Sequence, residues 1–162
     1  MLLIADKIEN IEISRLFTVY SETISSMKQE YGAFRGEYAF IISLQEFLSS
    51  ENAYLGIWCV DGIYMSAVRL EPYRDGYILS CLESAPEHRN CGAAKALITE
   101  MINFANDRGF LPLYSHIHKS NLASIKAFTH CGFEITGKPA VFLDGSVYAS
   151  YHTLYYKKAT DQ

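Results

Sequence analysis

The sequence predicts an α/β fold of the α+β kind, built as one domain over residues 1–162. Three observations carry this expectation. Segments of helical periodicity and short apolar runs bounded by turn residues alternate in the order strand, helix, helix, three strands, helix, strand, helix, two strands. Asp61-Gly62, Asp75-Gly76 and Asp144-Gly145 each lie between apolar runs, where Asp-Gly is a strong hairpin signal. One apolar run also feeds through a glycine-containing turn straight into an amphipathic helix. A chain of 162 residues, 49% hydrophobic, fills one domain well and is too short for two comfortable ones. No repeat, low-complexity tract or linker interrupts it.

Taken in order, Leu2, Leu3 and Ile4 with Ile8 fit a first edge strand. Asn10 suits a helix cap, and Ile13, Leu16, Phe17, Tyr20, Ile24 and Met27 keep a helical stripe to about Tyr31. Tyr31-Gly-Ala-Phe-Arg-Gly36 breaks the stripe with two glycines. A second helix is expected over residues 37–48, burying Phe40, Ile41, Leu44 and Leu48. Residues 49–52 read as a loop, and three strands joined by the first two Asp-Gly pairs reach Ser84. After residues 86–93, Ala94, Leu97, Ile98, Met101, Ile102 and Ala105 form a helical stripe, and Gly109 stands where a helix C-terminal glycine belongs. Residues 114–118 alternate as a strand, with Tyr114, His116 and His118 on one face and Ser115 and Ile117 on the other. A further helix follows, then a terminal hairpin of Val141-Phe-Leu and Val147-Tyr-Ala about Asp144-Gly145.

Composition narrows the function classes. A formal charge of −4 with no basic block argues against a nucleic-acid binder, while an acidic surface weakly attracts amines. Cys59, Cys81, Cys91 and Cys131 lack CxxC spacing, so neither a metal site nor a disulfide framework is indicated, and buried thiols in a reducing compartment are expected. Met1-Leu-Leu-Ile4 is too short and too soon followed by Asp6 and Lys7 for a signal peptide, and no run approaches membrane-spanning length. A cytoplasmic protein without membrane partners is expected.

The stretch that organises the chain is Pro86-Glu-His-Arg89-Asn90-Cys91-Gly92-Ala93-Ala94-Lys95. It lies between the apolar run of residues 77–84 and the helix that begins near Ala94. The first backbone N–H groups of such a helix have no internal partner, and the helix dipole adds positive potential there, so the turn suits a phosphate or pyrophosphate. Gly92 and Ala94 keep side-chain bulk away from a ligand. Arg89-x-x-Gly92-x-Ala94 resembles the acyl-CoA-binding motif of the GNAT superfamily of N-acetyltransferases, Gln/Arg-x-x-Gly-x-Gly/Ala. Asn121-Leu-Ala-Ser124-Ile-Lys-Ala-Phe128-Thr-His-Cys-Gly132-Phe133 resembles the superfamily's second signature, in which an Asn opens a helix that ends in Gly-Phe. Order and separation of the two signatures also match, and the order of elements resembles that family's topology over nearly the whole chain.

The resemblance implies a mixed, mostly antiparallel sheet of six or seven strands flanked by about four helices. It implies acetyl-CoA as acyl donor, with no metal, and a small-molecule or peptide amine as acceptor. Carried over residue by residue, it implies that Arg89, Asn90, Cys91, Gly92, Ala93 and Ala94 surround the pyrophosphate. Ser84 and Glu83 occupy the strand end that pairs with the pantetheine arm and polarises the thioester carbonyl in the family. Asn121 is the Asn that touches the arm, with simple helix capping as its other role, and Ser124 and Phe128 of the same signature are carried over with it. Exposed edges of the terminal hairpin would allow a homodimer.

One position departs from the family pattern. The Tyr that many members carry four residues before Gly-Phe, where its hydroxyl can protonate the leaving thiolate, is Phe128 here. Tyr114, Tyr148 and Tyr151 are the alternative donors, and a thiolate also leaves more readily than an alkoxide. For the base, the position five residues before Asn121 resembles a slot where some family members carry Glu, and here it is His116. Imidazole suits the task because its ordinary pKa of about 6.5 leaves the neutral form abundant. His118, on the same face, and Glu83, beside the thioester, are the other candidates. The competing expectation is a GNAT-fold protein that binds acyl-CoA without transferring the acyl group, as a sensor or partner subunit.

Overall fold

The computed structural model describes residues 1–158. β1 (Leu2–Ala5) is followed by α1 (Ile13–Val19), α2 (Ser21–Tyr31) and α3 (Gly36–Ser49), then by β2 (Tyr54–Val60), β3 (Ile63–Tyr73) and β4 (Gly76–Ser84). Next come α4 (Ala93–Asp107), β5 (Leu113–His118) and α5 (Leu122–His130). The short strands β6 (Glu134–Thr136), β7 (Ala140–Val141) and β8 (Val147–Tyr148) precede the closing strand β9 (Tyr151–Tyr156). Seven strands form one sheet in the order β1-β2-β3-β4-β5-β9-β6, antiparallel except between β4 and β5.

Alternation divides the core between the two faces of this sheet. Leu55 and Ile57 of β2 pack with Leu16, Ile24, Phe40 and Leu44 of the first three helices. Leu70, Leu79, Leu113 and Ile117 pack on the other face with Leu97, Ile98 and Met101 of α4 and Phe128 of α5. Each such side chain, fully buried, contributes about 1.5–3 kcal/mol of transfer free energy.

Four local expectations are corrected. Ile8 lies in a 3-10 turn after β1. The single helix expected to Tyr31 bends at Tyr20 into α1 and α2. In α3, Phe47 is buried and Ile41 only half-buried, because the inward face falls on Phe40, Leu44, Phe47 and Leu48. The second Asp-Gly pair is shifted by one residue: Tyr73 pairs with Gly76, so Arg74 (φ +50°) and Asp75 make the turn. Gly76 is required instead by close approach, since a Cβ there would overlap the Pro112 carbonyl.

The terminal hairpin exists, but as a separate ribbon of β7 and β8 outside the main sheet. The strand that completes the sheet is β9, which pairs with β5 along its length and with β6 on its other side. Its run Tyr-His-Thr-Leu-Tyr-Tyr buries only Thr153 and Leu154, so its apolar pattern is weak.

Candidate active site

The site begins with a defect in β4. Arg69 pairs with Ser80 and Ala67 with Glu83, so two residues of β3 span three of β4. Cys81 takes up the surplus with φ +53°, a left-handed conformation uncommon outside glycine. Beyond this bulge β4 and β5 part, and their parallel ladder holds only the pairs Tyr77–Leu113 and Ile78–Tyr114. The buried Ser115 hydroxyl, bonded to the Leu79 carbonyl at 2.9 Å, closes the junction. The end of β4 therefore faces a gap in the sheet.

The turn into α4 lies beside this gap. Asn90 (φ +59°) and Gly92 (φ +84°) are both left-handed and flank Cys91, an alternation that turns successive N–H groups toward one concavity. Gly92 is the N-cap of α4, and no side chain caps the helix. The first amide of the turn to be used internally is that of Ala96, bonded to the Gly92 carbonyl at 2.9 Å. A Cβ on Gly92 would meet no atom within 4 Å, so its left-handed φ and the open space above it, not internal crowding, favour glycine.

Turn and gap open into one cleft of about 810 Å³. One wall is Leu82, Glu83 and Ser84 of β4, followed by His88, Arg89, Asn90, Gly92, Ala93, Ala94 and Lys95. The other wall is Asn121 and the α5 face Ala123, Ser124, Lys126, Ala127 and His130, with Glu22 of α2 at the rim. Arg89, Lys95 and Lys126 bring three cations to this cleft against the acids Glu22 and Glu83. Arg89 is ion-paired with Glu22 at 2.7 Å, so Lys95 and Lys126 are its unpaired cations among the described residues. Lys126, His130, His88 and Glu22 were not anticipated as site residues from sequence, whereas Lys95 ends the stretch read as the phosphate turn. The legible signal was the helical spacing of Ala123, Lys126, Ala127 and His130, small residues that open a groove with cations along it.

Most of the anticipated donor-side residues thus meet in one place: Glu83, Ser84, Arg89, Asn90, Gly92, Ala93, Ala94, Asn121 and Ser124. Asn121 also caps α5, its side chain accepting from Ser124 N at 3.2 Å. Two residues stand apart. The Cys91 thiol turns back to the His88 carbonyl at 2.8 Å. Phe128 is 1% exposed and packs edge-on against Phe133 at 5.0 Å. It belongs to the core under α5 and is not on the cleft wall, because the small neighbours Ser124 and Ala127 take that position. Phe128→Tyr is accordingly expected to bury an unpartnered hydroxyl, costing about 1–3 kcal/mol. At about 2–4 °C per kcal/mol, calorimetry should register the fall in melting temperature.

Glu83 is already employed. Its carboxylate accepts from Glu22 N at 3.0 Å, Thr23 N at 3.3 Å and Thr23 Oγ1 at 2.5 Å. It therefore caps the N-terminus that the bend at Tyr20 exposes, across 60 residues of sequence. Its oxygens are committed to α2, which speaks against the base role. Removing them with Glu83→Ala should destabilise the fold by about 0.5–2 kcal/mol, read as a lower melting temperature.

The two histidines of β5 point to the sheet face opposite α4 and do not line the cleft. His116 is half-buried between the Tyr73 ring at 5.4 Å and the Phe142 ring at 4.9 Å. The Tyr73 hydroxyl donates to the Val141 carbonyl at 2.5 Å and lies 3.4 Å from His116 Nε2. With its hydrogen committed, that oxygen can only accept from Nε2, an arrangement that favours the tautomer with the lone pair on Nδ1. Burial, and secondarily the Arg74 charge, hold the His116 imidazole below its ordinary pKa. His118 is exposed, and its Nδ1 is tied to its own turn through Ser120 N at 3.1 Å. Tyr114 is a poor acid: burial and its bond to Asp75 at 2.6 Å push its pKa up to about 12.

A model of the acetyltransferase (GNAT) family matches residues 16–133. The chain belongs to the GNAT acetyltransferase family. Among curated proteins it is similar to a streptothricin acetyltransferase of Streptomyces lavendulae, 27% identical over 90 residues. That match covers 56% of this chain and spans about half, 48%, of the relative. Among solved structures it is similar to a phosphinothricin acetyltransferase of Sinorhizobium meliloti in complex with acetyl-CoA, with TM-score 0.67, 17% identity, and 99% and 92% of the two chains covered. It is also similar to the PaiA N-acetyltransferase of Thermoplasma acidophilum in complex with coenzyme A, with TM-score 0.65, 15% identity, and 97% and 99% covered. At these identities the likeness shows the GNAT fold, with its seven-stranded, mostly antiparallel sheet. Among the described residues no helix of this GNAT protein is long and apolar enough to cross a membrane, and no His, Cys, Asp or Glu cluster could hold a metal ion.

Proposed function

We propose that this GNAT protein transfers an acetyl group from acetyl-CoA to a primary amine of a small molecule or peptide. The observation that carries the reading is the uncapped α4 N-terminus, with its left-handed Asn90 and Gly92, opening into the same cleft as the free end of β4. Backbone amides of residues 90–95, helped by Arg89, Lys95 and Lys126, match a pyrophosphate. The edge of β4 beyond the bulge suits an extended arm that pairs as an added strand. Acetyl-CoA supplies the acyl group as a thioester, and the amine forms the new C–N bond as the C–S bond breaks.

His116 is the proposed base, with Nδ1 taking the amine proton. His118 and Glu83 are less suited, one bound to its own turn and the other to α2. The reading is tested by thiol release from acetyl-CoA against amines, polyamines, amino sugars and peptide N-termini. Release that depends on one acceptor class supports it, and none across the panel contradicts it. The second reading, acyl-CoA binding without transfer, is favoured by one observation: Phe128 fills the position of the family's acid and is sealed in the core. Acetyl-CoA binding with no thiol release is its signature.

A further inference from the structure

Alternation along β3 places Ala67, Arg69, Glu71 and Tyr73 on the sheet face that α3 flanks. Arg69 is half-buried there, and among the described residues no carboxylate forms an ion pair with its guanidinium. The Cζ lies 4.9 Å over the Phe47 ring, one nitrogen reaches Ser43 Oγ only at 3.4 Å, and Nε is buried with no hydrogen-bond partner. Among the described residues the ion pairs are Arg15–Glu12, Lys28–Glu37 and Arg89–Glu22, and none involves Arg69. Glu71 is the acid on the same face. Burial pushes its carboxyl up and the Arg69 charge offsets only part of this, as for two groups that interact at a distance without pairing. A half-buried cation with an orphaned donor is costly to the fold, and an apolar residue would serve stability better.

Its position gives the cation a use. Arg69 pairs with Ser80, the residue before the bulge at Cys81. Ala67, two residues away and about 7 Å along the strand, pairs with Glu83 on the cleft wall. The Tyr20 hydroxyl, bonded to the Cys81 carbonyl at 2.8 Å, lies within electrostatic reach of both Arg69 and Glu83. The guanidinium lies over the Phe47 ring, which restricts its freedom, and its planar fork suits a planar anion.

We propose that Arg69 is the carboxylate-binding residue of the acceptor site, and that the acceptor is a small amino carboxylate, an amino acid or close analogue. Its amine meets the thioester at the β4 bulge while its carboxylate takes the Arg69 guanidinium. This rests on the reading of the cleft as an acetyl-CoA site.

The test titrates the standard amino acids, and the primary amide of each, into the CoA-loaded protein by calorimetry. Thiol release is followed for the same compounds with acetyl-CoA. At least one acid should bind about 10- to 100-fold more tightly than its amide, the range expected of a charge-assisted pair. Arg69→Gln should remove that preference and leave acetyl-CoA affinity unchanged, while Arg69→Lys, which keeps the charge but loses the planar fork, should retain part of it. Binding of no acid, equal binding of acids and amides, or an equal loss for both in Arg69→Gln overturns the proposal. Failure of the transfer reading is distinguishable: carboxylate binding would persist and depend on Arg69, with no thiol released.

Discussion

Replacing Gly92 with glutamate is expected to abolish the rise in melting temperature that acetyl-CoA gives the wild-type protein. A ligand that binds only the native state at a hundred times its Kd stabilises by about 2.7 kcal/mol. For a domain of this size that is about 5–10 °C. Gly92 is the N-cap of α4 and opens on the cleft, so a Glu side chain there occupies the anion's position and repels it. The substitution does not crowd the interior, because a Cβ at this position meets nothing within 4 Å. It does hold a non-glycine residue at φ +84°, at a cost of about 1–2 kcal/mol. Gly92→Ala separates the two effects, sharing the backbone strain without the carboxylate. It should melt lower than wild type yet still be raised by acetyl-CoA. A full ligand-induced shift in folded Gly92→Glu would exclude the turn as the pyrophosphate site.

His116→Gln should reduce kcat by about 10²–10⁴, the range typical for a general base, while the acetyl-CoA-induced rise in melting temperature persists. The wild-type rate profile carries the sign of the perturbation. Burial first, and the Arg74 charge second, favour neutral imidazole, so the acidic limb should fall below pH 6.5 and disappear in the variant. Folding is linked to the same group. With the folded pKa depressed, the stability contributed by neutral His116 is present above the unfolded value of about 6.5 and is lost as pH falls through the folded one. His116→Gln should therefore soften the acid sensitivity of the melting temperature. Full turnover on an accepted amine, or an unchanged acidic limb, would remove His116 from the reaction.

Legibility in the sequence followed locality. The stripe Leu97, Ile98, Met101, Ile102 and Ala105 marked α4 because one helix face repeats every three to four residues. The turn before it was readable because Arg89-x-x-Gly92-x-Ala94 is contiguous, and Asn121 was readable as a cap because it bonds three residues away. Even Asp61-Gly62 was sound, with both residues left-handed between β2 and β3. All of these are decided by interactions within a turn or two of chain.

What the chain could not disclose by itself lies at contacts distant in sequence. The bend at Tyr20 has no proline or glycine to announce it. Its exposed amides are capped by Glu83, so a residue that read as a free carboxylate proves to be a helix cap. Phe128 occupied a signature slot, yet its ring is claimed by Phe133 and the core beneath α5. β9 hid in a weakly patterned run because its place is decided by the open edge of β5 and not by its own periodicity. Arg69 looked like any strand residue until tertiary packing placed Phe47 under it and left its Nε buried without a hydrogen-bond partner. Local sequence thus determined most of the elements and the glycine turn before α4, since backbone conformation and capping are short-range. The partners of Glu83, Phe128, His116 and Arg69 were settled only by the sheet, which brings strands remote in sequence within hydrogen-bond distance and decides which charges are answered.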